Sequence, residues 1–133
     1  MTTNYSPVKV LCDTDFLLAL HIEADSNHDK ALEIFEKYAD YSLTNLTIYE
    51  CATVLSRLLP QDKAVFTLQS IRENFTSVVA FDIDWESEVF DLYNSFEKKN
   101  ISFFDCACQI IAQKFGYQIA SFDKFYPKEL LVL

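Results

Sequence analysis

The stretch Val8-Lys9-Val10-Leu11-Cys12-Asp13-Thr14-Asp15 predicts a short buried strand that ends in acidic residues. Asp13 or Thr14 is placed to cap a helix that follows over about residues 15–23. A second apolar run, Tyr117-Gln118-Ile119-Ala120, predicts another strand, and Asp123 follows it closely. Strand ends and helix starts meet at one edge of an open α/β sheet, where ligands bind, so Asp13 and Asp123 are expected to lie together.

Strands and helices alternate along the rest of the chain. Further strands are predicted at 41–44, 78–81 and 130–133, and helical spacing of apolar residues recurs at 31–38 and 62–74. Thr47 and Glu50 are predicted to begin a helix that ends before Pro60. Asp84 is predicted to cap a helix that ends at Lys98-Lys99-Asn100. Ser102 is predicted to cap a further helix, which ends at Gly116. The alternation favours an α/β three-layer sandwich with a short, mostly parallel sheet of four to five strands flanked by helices. Since no linker is visible, residues 1–133 are predicted to form a single domain.

The composition excludes several classes of protein. Half of the residues are hydrophobic, which is typical of a globular chain and not of a disordered one. The only glycine is Gly116, so phosphate-binding loops built on several glycines are unavailable. The formal charge is −9, so a polyanionic substrate would have to be held by a local basic patch, by metal or by a partner.

The four cysteines, Cys12, Cys51, Cys106 and Cys108, lack CxxC spacing and suit a reducing compartment. We interpret them as small buried apolar residues. No secretory signal is visible at the N-terminus, and the longest apolar stretch is too short to span a bilayer. A cytoplasmic protein without membrane contact is therefore expected.

Four acids fall where the chain changes structure: Asp13, Glu50, Asp105 and Asp123. Each could be a helix or turn cap, since Glu50 follows Thr47 and Asp105 follows Ser102 at capping-box spacing. However, Asp13 and Asp105 lie in apolar surroundings without a nearby lysine or arginine in sequence, and burying an unpaired carboxylate is unfavourable. Four like charges at one sheet edge would repel unless a hard divalent cation such as Mg²⁺ or Mn²⁺ joined them.

The order of these motifs resembles that of PIN-domain ribonucleases. The matching segments are Leu11-Cys12-Asp13-Thr14-Asp15, Leu46-Thr47-Ile48-Tyr49-Glu50, Ser102-Phe103-Phe104-Asp105-Cys106-Ala107 and Ser121-Phe122-Asp123-Lys124-Phe125. Compact members of this length are commonly the toxin of a VapBC-type toxin–antitoxin pair. The resemblance implies Mg²⁺- or Mn²⁺-dependent endonucleolytic cleavage of structured RNA such as tRNA or rRNA, a homodimer, and a cognate antitoxin protein.

In that family pattern the four acids are the catalytic and metal-binding residues. Asp13, Asp105 and Asp123 are the expected direct ligands, and Glu50 would bind metal through water or help to deprotonate the nucleophile. Thr14, Asp15 and Ser121 are candidates for orienting carboxylates or waters. Arg57, two helical turns beyond Glu50, and Lys124 either contact a phosphate or form exposed ion pairs.

Two other functions remain open at this point. Asp13-Thr14-Asp15 also fits the start of a haloacid dehalogenase-like phosphohydrolase, although the chain lacks the later Gly-Asp element of such enzymes. Alternatively, the chain keeps the PIN-like fold but acts as a catalytically silent module that binds RNA or protein. The presence of all four acids argues against the silent module.

Overall fold

A computed structural model of the chain describes residues 6–75, 77–97 and 100–132, in which two α-helices follow each of the first three strands. The strands are β1 Ser6–Cys12, β2 Tyr38–Thr44, β3 Val78–Val79 and β4 Gln118–Ala120. The helices are α1 Thr14–His21, α2 His28–Lys37, α3 Asn45–Leu58, α4 Gln61–Asn74, α5 Glu86–Asn94 and α6 Phe103–Phe115. Short 3₁₀ turns occur at Ile83–Trp85 and Lys128–Leu130.

The strands form one sheet in the order β3-β2-β1-β4, and all three pairings are parallel. This confirms the predicted α/β sandwich with a parallel sheet flanked by helices. The strand predicted at 130–133 is wrong in its first part, because Leu130 ends a 3₁₀ turn and Leu131 makes a single bridge to Ile119. Leu133 lies outside the described residues.

The second half of strand β1, Val10 to Cys12, is buried on both of its faces. Val10 and Cys12 pack into a core cluster with Phe16 of α1 and Leu55 of α3. Leu11 points the other way, into a second cluster formed with α6 and β4. This two-sided burial explains why the end of the strand is a continuous apolar run, whereas the exposed Lys9 lies in its first half.

Helix α3 begins earlier than its sequence indicated. The predicted capping box of Thr47 and Glu50 is wrong, because the side chain of Thr44, the last residue of β2, accepts the hydrogen bond from the Thr47 amide at 3.0 Å. The chain passes directly from β2 into α3, and Glu50 lies in the second turn. Glu50 is therefore not needed as a cap, and its carboxylate is available to the site described below.

The α5 region also differs from its prediction. Asp82, and not Asp84, is the cap: its side chain accepts from the Asp84 amide at 2.9 Å and opens the 3₁₀ turn. Helix α5 ends at Asn94, where the Ser95 hydroxyl donates to the Leu92 carbonyl at 2.6 Å. The sequence predicted that this helix ends at Lys98-Lys99-Asn100, of which Lys98 and Lys99 lie outside the described residues.

Helix α6 follows its sequence signals at both ends. Ser102 and Asp105 form a reciprocal capping box, and the helix ends at Gly116 in a left-handed conformation with φ 75°. Asp13 or Thr14 was predicted to cap the first helix, and Asp13 is the cap: its side chain accepts the hydrogen bond from the Thr14 amide at 2.8 Å. Two of the four candidate acids are thus helix caps as well as site residues.

Candidate active site

The carboxyl ends of β1 and β4 bring the acidic residues together. Cys12 pairs with Ala120, and the Asp13 amide donates to the Ala120 carbonyl at 3.0 Å. This places Asp13, which follows β1, beside Ser121, which follows β4. The capping turn of α6 and the second turn of α3 complete the same edge, where ligands of parallel sheets usually bind.

A cavity of about 280 Å³ lies at this edge, and five carboxylates line it. They are the four predicted acids, Asp13, Glu50, Asp105 and Asp123, together with Asp15. In the described parts of the chain, no lysine or arginine lines this cavity. The structure thus gathers the sequence-predicted acids and adds Asp15, which was expected only to assist them.

Asp13 is the most buried of these acids, with 4% of its surface exposed. Its carboxylate accepts from the Thr14 amide at 2.8 Å, the Ser121 hydroxyl at 3.1 Å and the Tyr126 hydroxyl at 2.9 Å. Burial raises the pKa of Asp13 to about 7; the charges of Asp15 and Asp105 add to this rise, while the bonds from Thr14 and Tyr126 oppose it. At neutral pH the protonated and ionised forms of Asp13 are therefore present in comparable amounts without a cation.

Asp15 contacts the same Ser121 hydroxyl as Asp13 does. It accepts from the Ser121 hydroxyl and from the Phe122 amide, each at 3.1 Å. Burial raises its pKa to about 6, against the opposing effect of these donors, and the charge of Asp123 contributes to the rise. The Ser121 hydroxyl has one proton, so it can donate a full hydrogen bond to Asp13 or to Asp15, but not to both. Its oxygen also accepts a hydrogen bond from the Asp123 amide at 3.0 Å.

Glu50 and Asp105 approach the cavity from two helices. The Thr14 hydroxyl donates to Oε1 of Glu50, so Thr14 links α1 to α3 inside the site. Burial raises the pKa of Glu50, and the charge of Asp105 adds to it. Burial likewise raises the pKa of Asp105, with the charge of Asp123 adding and the Ser102 amide opposing. The charge of Asp105 thus makes Glu50 harder to ionise, and the charge of Asp123 makes Asp105 harder to ionise.

Asp123 differs from the other acids because it is exposed at the mouth of the site. It accepts the Phe125 amide at 3.0 Å, which fixes the turn that follows β4. The predicted turn at this position is confirmed. Asp123 therefore has a structural role in the turn while its carboxylate still lines the cavity.

Tyr126 was not predicted as a site residue. Its side chain is 2% exposed, packs with Leu11 and Ile111, and donates its hydroxyl proton to Asp13. Burial raises the pKa of Tyr126, so the hydroxyl stays a donor. The sequence signal is weak: a tyrosine close behind a strand end, whose hydroxyl needs a partner if the ring is buried.

The two candidate cations are placed differently. Arg57 is exposed in the last turn of α3 and does not line the acidic cavity. Lys124 is exposed and lines a second cavity, which it shares with Asp123. Among the described residues, neither forms the exposed ion pair that was one of its two predicted roles; the ion pairs there are Lys30–Glu33, Lys37–Glu33 and Lys114–Glu88.

The donor set suits a hard divalent cation, since every charged side chain of the described residues that lines the cavity is a carboxylate. Within the described ranges, no three acidic, cysteine or histidine side chains form a complete metal-binding group as they stand. Mg²⁺ commonly keeps several waters and uses only one or two carboxylates. The residues therefore fit a partly hydrated ion better than a closed cage of protein ligands.

The cysteines lie beneath this site and not in it. Cys12, Cys51, Cys106 and Cys108 are all free and buried, which confirms their interpretation as small core residues. Burial raises the pKa of Cys51 to about 12, so its thiol stays protonated. Over the residues that the structure describes, none of the helices is both long enough and apolar enough to span a bilayer.

Comparisons with known proteins agree with this geometry. The family model of the PIN domain matches residues 10–128. The chain is similar to the structure of VapC20 from Mycobacterium tuberculosis, described as a sarcin-ricin loop cleaving toxin, with a TM-score of 0.80 and 23% identity over 93% of this chain and 97% of that one. Comparison with curated proteins found no match.

Two further solved structures share the fold. PAE2754 from Pyrobaculum aerophilum aligns with a TM-score of 0.60 and 23% identity, over 88% of this chain and 76% of that one. FitAB bound to the IR36 DNA fragment aligns with a TM-score of 0.63 and 15% identity, over 86% and 85% of the two chains. None of these comparisons supports the haloacid dehalogenase alternative.

Proposed function

We propose that this chain, which belongs to the PIN-domain family, is a metal-dependent endoribonuclease that cleaves structured RNA such as tRNA or rRNA. The observation that carries the proposal is the single cavity at the ends of β1 and β4 that five carboxylates line. Buried carboxyls with raised pKa values and a shared cavity are typical of functional sites. Carboxylates that face one another repel when they are ionised, and a bound cation would offset this repulsion.

Each acid has a proposed role that follows from its surroundings. Asp13, Asp105 and Asp123 would hold Mg²⁺ or Mn²⁺ directly. Glu50 would bind it through water or accept a proton from the attacking water. When bound, the ion would activate water and offset charge on the scissile phosphate.

The hydroxyls around the acids would orient them. Thr14 donates to Glu50, and Ser121 contacts Asp13 and Asp15 while accepting the Asp123 amide. These contacts support the roles expected for Thr14 and Ser121, because a donor that fixes one oxygen of a carboxylate directs the other oxygen. Asp15 adds a fifth negative charge, and it would strengthen the attraction for a dication.

We further propose that the protein is the toxin of a toxin–antitoxin pair. Its cognate antitoxin would cover the acidic cavity, and the active form would be a cytoplasmic homodimer. The similarity of fold to VapC20 supports this assignment. Because that protein is described as cleaving the sarcin-ricin loop, ribosomal RNA with this loop is the first substrate to test, followed by tRNA.

The test is cleavage of these RNAs by the purified chain with Mg²⁺ or Mn²⁺ and with a chelator. Asp13→Asn and Asp105→Asn are expected to abolish cleavage while circular dichroism shows an unchanged fold. Asp40→Asn, an exposed acid of β2 outside the cavity, is the matched control and should cleave like the wild type. Cleavage at full rate by both site variants would contradict the proposal.

The silent interaction module is the second candidate, favoured only by the absence of a complete metal-binding group among the described residues. It predicts no cleavage under any metal condition, with RNA or partner binding retained. Expression in a bacterial host separates the two: toxicity that Asp13→Asn removes supports the nuclease. Toxicity of equal strength with and without that substitution favours the interaction module.

A further inference from the structure

A second, larger cavity adjoins the acidic one. Its volume is about 750 Å³, and it lies between the end of α5 and the turn that follows β4. Asp123 lines both cavities, so the two cavities are neighbours on the same surface. A polymer with a phosphate over the acids would therefore extend into the second cavity.

The apolar part of this cavity is aromatic. The rings of Phe96 and Phe125 lie 5.1 Å apart at an interplanar angle of 62°, and both side chains are half-buried. Ile101, also half-buried, lines the same wall. Partly open aromatic rings beside an apolar side chain are surfaces on which unpaired nucleobases stack.

The polar part of the cavity carries a cation. Lys124 is exposed, makes no ion pair with any described residue, and follows Asp123 directly. The Asn100 side chain adds an amide that can both donate and accept. The acidic cavity has no basic residue in the described chain, so the second cavity supplies what the first one lacks for a polyanion.

We propose that the second cavity binds an unpaired nucleotide of the substrate RNA that flanks the cleaved phosphate, with its base against Phe96 and Phe125 and its backbone phosphate beside Lys124. This inference rests on the proposed ribonuclease function and assigns it an RNA-contact surface. It also explains how a chain with a net charge of −9 engages RNA: contact is confined to a small surface beside the site. Glu97, which lines the same cavity, opposes phosphate binding and limits the affinity.

The test measures RNA binding without turnover, in the full-length Asp13→Asn protein. The probe is a short fluorescein-labelled single-stranded RNA of mixed sequence, followed by fluorescence anisotropy at several salt concentrations. Lys124→Ala should weaken binding roughly fivefold and reduce the slope of log affinity against log salt by about 0.7. Phe96→Leu, which keeps apolar volume but removes the ring, should weaken binding about tenfold.

Charge variants of opposite sign sharpen the test. Glu97→Gln should tighten binding, because it removes the negative charge from the cavity. Lys128→Ala and Glu129→Gln are the matched controls, since both residues are exposed nearby and line neither cavity. A general surface effect would make Lys124→Ala equal to Lys128→Ala, and that result would overturn the proposal.

The readouts distinguish this inference from the nuclease function. If the wild type cleaves RNA but Lys124→Ala and Phe96→Leu bind like the controls, the nuclease stands and the subsite is wrong. If the wild type cleaves nothing but the cavity variants change binding as expected, the second cavity is an RNA-binding surface and the nuclease function is wrong. Failure of the parent protein to bind the RNA at all would also overturn the subsite.

Discussion

The Tyr126 hydroxyl donates a 2.9 Å hydrogen bond to Oδ2 of Asp13, and these residues are 113 positions apart in sequence. The bond joins the turn after β4 to the end of β1, inside the core. Among the described residues, Tyr126 is the one donor to the Asp13 carboxylate that the sequence did not mark as a site residue. Asp13 is therefore held by the fold as well as by its own helix cap.

Tyr126→Phe removes this bond and keeps the ring in its apolar cluster. We expect the free energy of unfolding at neutral pH to fall by about 1–3 kcal/mol, since the bond is made to a charged acceptor. The pKa of Asp13 should rise further, so protons compete better and the apparent affinity for Mg²⁺ should fall. Urea denaturation with and without Mg²⁺ measures both effects, and Tyr93→Phe, on an exposed ring, is the control. Identical behaviour of the two variants would contradict a role for Tyr126.

The metal-free protein should lose stability as the pH rises. Asp13 and Asp15 have folded pKa values of about 7 and about 6, against 3.8 for an ordinary aspartate, so the folded state binds more protons between these values. The free energy of unfolding should therefore be greatest near pH 4 and fall toward pH 7, by on the order of 3 kcal/mol or less from Asp13. Urea denaturation across this range is the measurement.

Asp13→Asn isolates the contribution of Asp13 to this pH dependence. The amide cannot ionise, so the variant should show a shallower fall and should equal or exceed the wild type in stability at neutral pH without metal. Asp40→Asn should keep the wild-type slope, because Asp40 is exposed and lies outside the cavity. A slope that Asp13→Asn leaves unchanged would show that other groups cause the pH dependence.

Divalent metal should stabilise the folded chain. Binding offsets the repulsion among the five carboxylates, and saturation at about 100 times the dissociation constant adds about 2.7 kcal/mol. Thermal unfolding with increasing Mg²⁺ or Mn²⁺ should show a rising midpoint, with a smaller rise in Asp105→Asn. Sodium chloride at equal ionic strength is the control, and an equal rise with sodium would rule out a specific site.

Thr44→Ala should destabilise the protein more than Thr47→Ala does. Thr44 caps α3 and is buried, so its loss leaves the Thr47 amide without its partner and should cost about 1 kcal/mol. Thr44→Ser keeps the hydroxyl and should restore most of this loss. Denaturant unfolding compares the three variants, and a larger effect of Thr47→Ala would favour the cap predicted from the sequence.

Much of the fold could be predicted because its signals are local. The apolar run before Asp13, the Ser102 cap and the Gly116 terminus each depend on residues within one strand or one helical turn. The start of α3 was misplaced because Thr44 and Thr47 are both good caps, and only the length of β2 decides between them. The end of α5 was missed for a similar reason, since apolar spacing continues past the point where Ser95 closes the helix.

The sequence by itself determined which acids exist, their order, and the strand ends and helix starts that carry them. Tertiary structure alone decided that Asp15 lines the same cavity as the four predicted acids, that Tyr126 supports Asp13, and that Lys124 lies in the neighbouring cavity while Arg57 does not. The physical reason is distance along the chain. Strand pairing and core packing bring together residues more than 100 positions apart in sequence. The periodicity and capping residues of one segment predict its own secondary structure, but not which distant segment it contacts.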